Sequence, residues 1–182
     1  MKRLLVVVDM VNGFINEGAL ADKKIINGKE VGKFKPDDKI SREEFVKILV
    51  CAMGYENCEF NNTGFKDVKQ DDWFYKYVNI AANSGIVNGV GNNQFGTGTL
   101  ITRQDLVTMI YNVLVMKNVQ VDTTIPEFND INETSSYAVN AVSALYNMGI
   151  VNGVGDAQFA PMKNATRAEA AKIIYGVLNL LI

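Results

Sequence analysis

The sequence predicts a mainly α-helical domain, with three helix-loop-helix repeats in a pseudo-threefold arrangement around a central three-helix bundle. Three observations predict it. Gly85-Ile86-Val87-Asn88-Gly89-Val90-Gly91 returns unchanged as Gly149-Ile150-Val151-Asn152-Gly153-Val154-Gly155, 64 residues later. Its companions keep that register: Gln94-Phe95 with Gln158-Phe159, Thr102-Arg103 with Thr166-Arg167, Ile110-Tyr111 with Ile174-Tyr175. A fainter copy lies 61 residues upstream, in Ile26-Asn27-Gly28, Phe34 and Ser41-Arg42. Self-similarity at a fixed period is the mark of a repeat architecture.

Each full repeat reads as helix, tight turn, short extended piece, helix. For the first helix, Trp73, Tyr77, Val78, Ala81 and Ala82 recur at helical spacing, as do Tyr137, Val139, Ala141, Val142 and Leu145. Gly85 and Gly149 then stand where a left-handed glycine ends a helix. Asn88-Gly89 and Asn152-Gly153 are turn dipeptides. Phe95 and Phe159 follow at matched points, as plugs that pin the loop to the core. Ser41, Thr102 and Thr166 are the expected N-caps of the second helix, with Glu44, Asp105 and Glu169 three residues on. Two of these are capping boxes and the Asp version is a weaker variant. Apolar residues then fall on one face in every copy: Phe45, Ile48, Leu49, Ala52; Leu106, Met109, Ile110, Val113; Ala170, Ile173, Ile174, Val177. Three equivalent stripes bury most cheaply against one another.

Composition narrows the chemistry. A chain of 182 residues, 48% hydrophobic and 21% charged, can bury a real core. The net charge of -2, with no Lys/Arg run, argues against nucleic acid. There is no histidine, so the commonest general base and metal ligand are missing; no cofactor is expected. Cys51 and Cys58 fit no zinc or redox spacing, and Cys51 on an apolar helix face reads as a buried free thiol. No segment has the roughly 18 to 20 apolar residues of a membrane span. Met1-Lys2-Arg3 and Leu4 to Val8 start like a signal peptide, but Asp9 cuts the apolar run short of the ~7–15 residues required. GVGNNQ lacks the last glycine of a dinucleotide fingerprint.

Capping does not explain the arginines. Arg42, Arg103 and Arg167 occupy the first helical position, where the macrodipole disfavours a cation. They could pair with a carboxylate such as Asp67 or Asp130, or hold an anionic ligand together with the free N–H groups of the helix start. As exposed first-turn residues they are expected to add little stability, so Arg103→Ala and Arg167→Ala should weaken binding and spare the fold. Phe65-Lys66-Asp67-Val68 and Phe128-Asn129-Asp130-Ile131 open the second and third repeats, followed by Trp73 and Tyr137. An acid beside an exposed aromatic suits sugar recognition, although Phe as core plug and Asp as turn residue fit as well.

Together FKDV, W, GIVNGVG, QF and TRQD in the second repeat, and FNDI, Y, GIVNGVG, QFAP and TRAE in the third, resemble the S-layer homology repeat. IINGKEVGKFKPDDKISREEF looks like the later half of a first copy. The resemblance covers residues 25–60, 63–121 and 126–182. It implies a monomeric, non-catalytic module that anchors exported proteins at the bacterial cell wall. The implied ligand is a secondary cell-wall polysaccharide, often carrying an anionic pyruvate ketal. By position, Arg42, Arg103 and Arg167 would bind it, and Asp67, Asp130, Trp73, Gly85 and Gly149 would line grooves between repeats. Gln104-Asp105 departs from the family's Ala-Glu.

Residues 1–24 resemble something else, the opening of an isochorismatase-like (nicotinamidase-type) cysteine hydrolase, with Asp9 at the end of a first strand. The Lys and nucleophilic Cys of that family have no counterpart in context here. The fragment is expected to dock in the gap left by the missing first helix. An isochorismatase-type hydrolase fragment, or a folded remnant impaired in binding, are the alternative functions.

Overall fold

The computed structural model describes residues 35–181. The hydrolase-like stretch, its expected docking and the Ile26-Asn27-Gly28 turn lie outside the described residues. Five α-helices follow: α1 (Arg42–Ala52), α2 (Tyr75–Asn83), α3 (Arg103–Met116), α4 (Val139–Asn147) and α5 (Arg167–Leu181), with a short 3-10 turn at Ile131–Glu133. Among the described residues the extended pieces between helices form only isolated bridges. The molecule is mainly α-helical, as its periodicity requires.

The helix boundaries obey local chemistry. Ser41 N–H donates to Glu44 Oε2 at 3.0 Å, and Glu44 N–H donates back to Ser41 Oγ at 3.3 Å. Thr166 and Glu169 make the same box, at 2.7 and 3.2 Å. Thr102 accepts from Asp105 N–H at 3.2 Å, while the Asp105 carboxylate turns to the Tyr137 hydroxyl, 2.6 Å away. The weaker variant is therefore a half box. At the other ends, Gly85 N–H donates to Ala82 and Ile86 N–H to Ala81; Gly149 and Ile150 repeat this on Tyr146 and Leu145. With φ of +73° and +69° at the two glycines, these are Schellman terminations.

The Asp residues that open each repeat fold the loop after the turn. Asp67 accepts from the N–H groups of Phe95 (2.7 Å), Gly96 (2.7 Å) and Thr97 (2.9 Å). Asp130 accepts from Phe159 (2.8 Å) and Ala160 (2.7 Å). Each carboxylate thereby fixes a phenylalanine that is fully buried in the core. Phe65 and Phe128 pack against those plugs, ring centroids 6.1 and 5.9 Å apart.

At the centre, backbone hydrogen bonds close a ring. Ile40 N–H donates to Ala165 C=O, Ala165 N–H to Ile101 C=O, and Ile101 N–H to Ile40 C=O, at 3.2, 2.9 and 3.1 Å. One turn further out, the backbone N–H groups of Arg42, Arg103 and Arg167 donate to Thr99, Lys163 and Asp38, each at 2.9 Å. Within each set every repeat gives to one neighbour and receives from the other, and the two sets run in opposite senses, a pseudo-threefold arrangement written in the main chain. The helices interleave likewise. α1 packs on α2 of the next repeat, α3 on α4, and α5 touches both α1 and α3.

Cys51 departs from expectation. It is half-buried rather than buried, and both it and Cys58 are free. Burial pushes the Cys51 thiol up from its ordinary value, with nearby Glu56 adding to the shift, so it is a poor nucleophile.

Candidate functional site: two clefts between repeats

The arginines are not exposed. Arg42, Arg103 and Arg167 retain only 6%, 7% and 4% of their accessible surface, which corrects the expectation that they are exposed first-turn residues. Each of the first two runs back from its helix start across the phenylalanine plug of the following repeat. Arg42 Nε donates to the Phe95 carbonyl at 2.8 Å and its guanidinium lies 5.3 Å from that ring's centroid. Arg103 treats Phe159 identically, at 2.9 and 4.9 Å.

Their carboxylate partners are the capping acids of the next repeat. Arg103 Nη1 donates to Glu169 Oε1 at 2.9 Å, and Nη2 donates to the Asn152 carbonyl at 3.1 Å. Arg42 Nη1 lies 3.5 Å from Asp105 Oδ2. Ion pairing does occur, but Asp67 and Asp130 are not the acids that make it. Burial lowers the pKa of both arginines, and Asp105 and Glu169 oppose the shift. For Glu169, burial works upward, yet the Thr166 N–H and Arg103 prevail and hold it below its ordinary value.

Each arginine is the floor of a cleft. The first, 450 Å³, lies between Arg42, the turn Ile86–Val90, Asp105, Thr108, Met109, Asn112 and Tyr137. The second, 310 Å³, lies between Arg103, the turn Ile150–Val154, Lys163, Glu169, Lys172 and Ile173. The repeated Gly-Ile-Val-Asn-Gly segment is therefore a cleft wall as well as a turn. Guanidinium carries five N–H donors. Arg103 commits three to protein acceptors, which leaves two with no acceptor among the described residues.

The other expected site residues are placed differently. Gly85 and Gly149 end α2 and α4 one residue before each cleft wall begins. Asp67 and Asp130 line neither cleft, and their oxygens are engaged by backbone N–H groups. For Asp67 those three donors outweigh the upward effect of burial and depress its pKa. Trp73 is exposed (54%), with the Lys47 ammonium 5.5 Å from its ring centroid, and lines neither cleft. Its counterpart 64 residues on, Tyr137, does line the first. Burial, followed by the hydrogen bond to Asp105, raises the Tyr137 pKa to about 12, so it is a neutral donor. Lys163, Lys172 and Asn112 were absent from the expected site. The 64-residue register pairs them with Thr99, Thr108 and Gly176, so no repeated residue type marked any of the three.

Among the described residues no group of His, Cys, Asp and Glu could hold a metal ion, and no helix is long and apolar enough to cross a membrane.

Similar sequences occur in other proteins. The chain is 32% identical over 162 residues to the exoglucanase XynX of Acetivibrio thermocellus, covering 88% of this chain and 15% of that one. It is 31% identical over 163 residues to an endoglucanase of Bacillus sp. (strain KSM-635), covering 87% and 17%. It is 29% identical over 155 residues to an S-layer protein of Bacillus licheniformis, covering 85% and 17%. The chain thus spans less than a fifth of the length of these relatives. Residues 18–46, 64–107 and 127–171 match the S-layer homology domain. The first segment begins inside the stretch 1–24 that the sequence had set apart. Three matched segments covering more than half of the chain, closed into one ring, make it a member of the S-layer homology domain family.

Proposed function

We propose that this chain is a cell-wall anchoring module of the bacterial cell surface, one that grips an anionic secondary cell-wall polysaccharide in the clefts between its repeats. The polymer's pyruvate ketals would supply the anion. The observation that carries the reading is the repeated cleft: a buried arginine from one repeat faces the Gly-Ile-Val-Asn-Gly wall of the next, with donors left over. A carboxylate suits that planar fork, and the exposed face of Tyr137 suits the C–H surface of a sugar. The relatives give independent support. Exoglucanase, endoglucanase and S-layer protein differ in what their names say they do, yet share this segment, so a common task of attachment fits it better than catalysis. The reading is accordingly non-catalytic.

Sedimentation with purified sacculi tests it. The chain should pellet with sacculi that carry the polysaccharide and stay in solution once the polymer is stripped. Equal binding to bare peptidoglycan would overturn the proposal.

A further inference from the structure

The two clefts occupy equivalent joints but are not chemically equivalent. Two lysines of the second stand where the other repeat has threonines: Lys163 corresponds to Thr99, and Lys172 to Thr108. The backbone confirms the first correspondence, since Thr99 C=O accepts from Arg42 N–H as Lys163 C=O accepts from Arg103 N–H. Among its lining residues the Arg103 cleft holds three cations against Glu169, a net +2. The Arg42 cleft holds Arg42 against Asp105, a net of zero. The other polar side chains that line it are neutral. Thr108 donates to the Gln104 carbonyl at 2.7 Å and Asn112 to the Ile86 carbonyl at 3.0 Å. The Tyr137 hydroxyl donates to Asp105; outside the lining, Gln104 Nε2 donates to Tyr137 at 3.2 Å, and Gln104 Oε1 accepts from Ser135 N–H at 3.0 Å. Arg42 stands farther from its carboxylate than Arg103 does, 3.5 against 2.9 Å, but it brings one charge where the other cleft brings three.

We infer that the clefts divide the polymer between them: the Arg103 cleft takes its anionic unit through Lys163 and Lys172, and the Arg42 cleft takes a neutral sugar unit against Tyr137. This rests on the anchoring proposal. A cleft with net positive charge concentrates anions. Because both lysines are exposed, their share must fade with salt. The neutral cleft offers a ring face and uncharged donors, whose hold on hydroxyls is insensitive to salt.

Backbone NMR of the full chain, titrated with two methyl glycosides, separates the clefts. One carries a pyruvate ketal and the other is the same sugar without it. The ketal should shift the amides of Asn152 and Val154 with an affinity that falls as salt rises. The plain sugar should shift those of Asn88 and Val90 without salt dependence. Lys163→Thr with Lys172→Thr should weaken the ketal response about tenfold at low salt, and Thr108→Lys should create one at the Arg42 cleft. Equal ketal shifts at both clefts, full retention by the double variant, or no shift at either cleft would each overturn the division. If sacculi binding survives such a result, only the division falls; if it is lost too, the anchoring proposal falls with it.

Discussion

Arg103 is held against two opposing costs, the helix dipole at its own N-terminus and the loss of water on burial. Three hydrogen bonds and the Phe159 ring offset them, and the same contacts join the second repeat to the third. Replacing it removes those bonds and leaves Glu169 without its hydrogen-bonded cation. Arg103→Ala should therefore lower stability by about 2–4 kcal/mol, read as a lower urea midpoint at unchanged slope, and Arg103→Lys should recover part of it. Weaker wall binding by Arg103→Ala would then mix folding with recognition, which is why the exposed lysines are the cleaner probes. Carboxylates at this scale set the pH response. Asp67 and Glu169 both have folded pKa values below their ordinary ones. Their contribution is present above the unfolded values, about pH 4, and is lost as pH falls through the folded ones. With no histidine to titrate, the thermal midpoint should stay level from about pH 8 to about pH 5 and drop below about pH 4. Asp67→Asn should make that drop shallower.

Among the elements, the turn between the helices separates two kinds of glycine. A Cβ at Gly89 would sit 2.5 Å from the Gln94 carbonyl oxygen and 2.8 Å from the Phe65 ring, at φ +77°. A Cβ at Gly85, φ +73°, meets nothing within 4 Å. Gly89→Ala should thus cost about 2–4 kcal/mol, from overpacking added to backbone strain, and Gly85→Ala only the strain, about 1–2 kcal/mol. Chemical denaturation of the two variants gives the comparison. Elements of this kind were legible in the sequence because their rules are local. The caps at Ser41, Thr102 and Thr166, the half box at Asp105, the glycine stops and the phenylalanine plugs each depend on a few adjacent residues. What escaped was contact between repeats. That Arg42 meets Asp105 and Arg103 meets Glu169 follows from which repeat neighbours which, and a 64-residue period does not say. The burial of the arginines was hidden for the same reason, as was the division between Trp73 and Tyr137.

Among the described residues, the main helix-on-helix contacts cross from one repeat to another. α1 buries its stripe on α2 and α3 on α4, each pair drawn from two repeats, and α5 meets both α1 and α3. The equal apolar stripes made a threefold core legible, while the cyclic order of donors and acceptors required the folded backbone. Such interleaving should make unfolding cooperative, with one calorimetric transition whose enthalpy matches the van't Hoff value. Separate transitions for separate repeats would contradict it.

The ring of main-chain bonds among Ile40, Ile101 and Ala165 bears on a property foreign to most binding domains, tensile strength. A tether is pulled, and a linear array of repeats yields its units one after another. If the clefts carry the load as proposed, tension entering at either would reach the ring, and parting one of its links would strain the other two. Such a fastening would hold or fail as a unit.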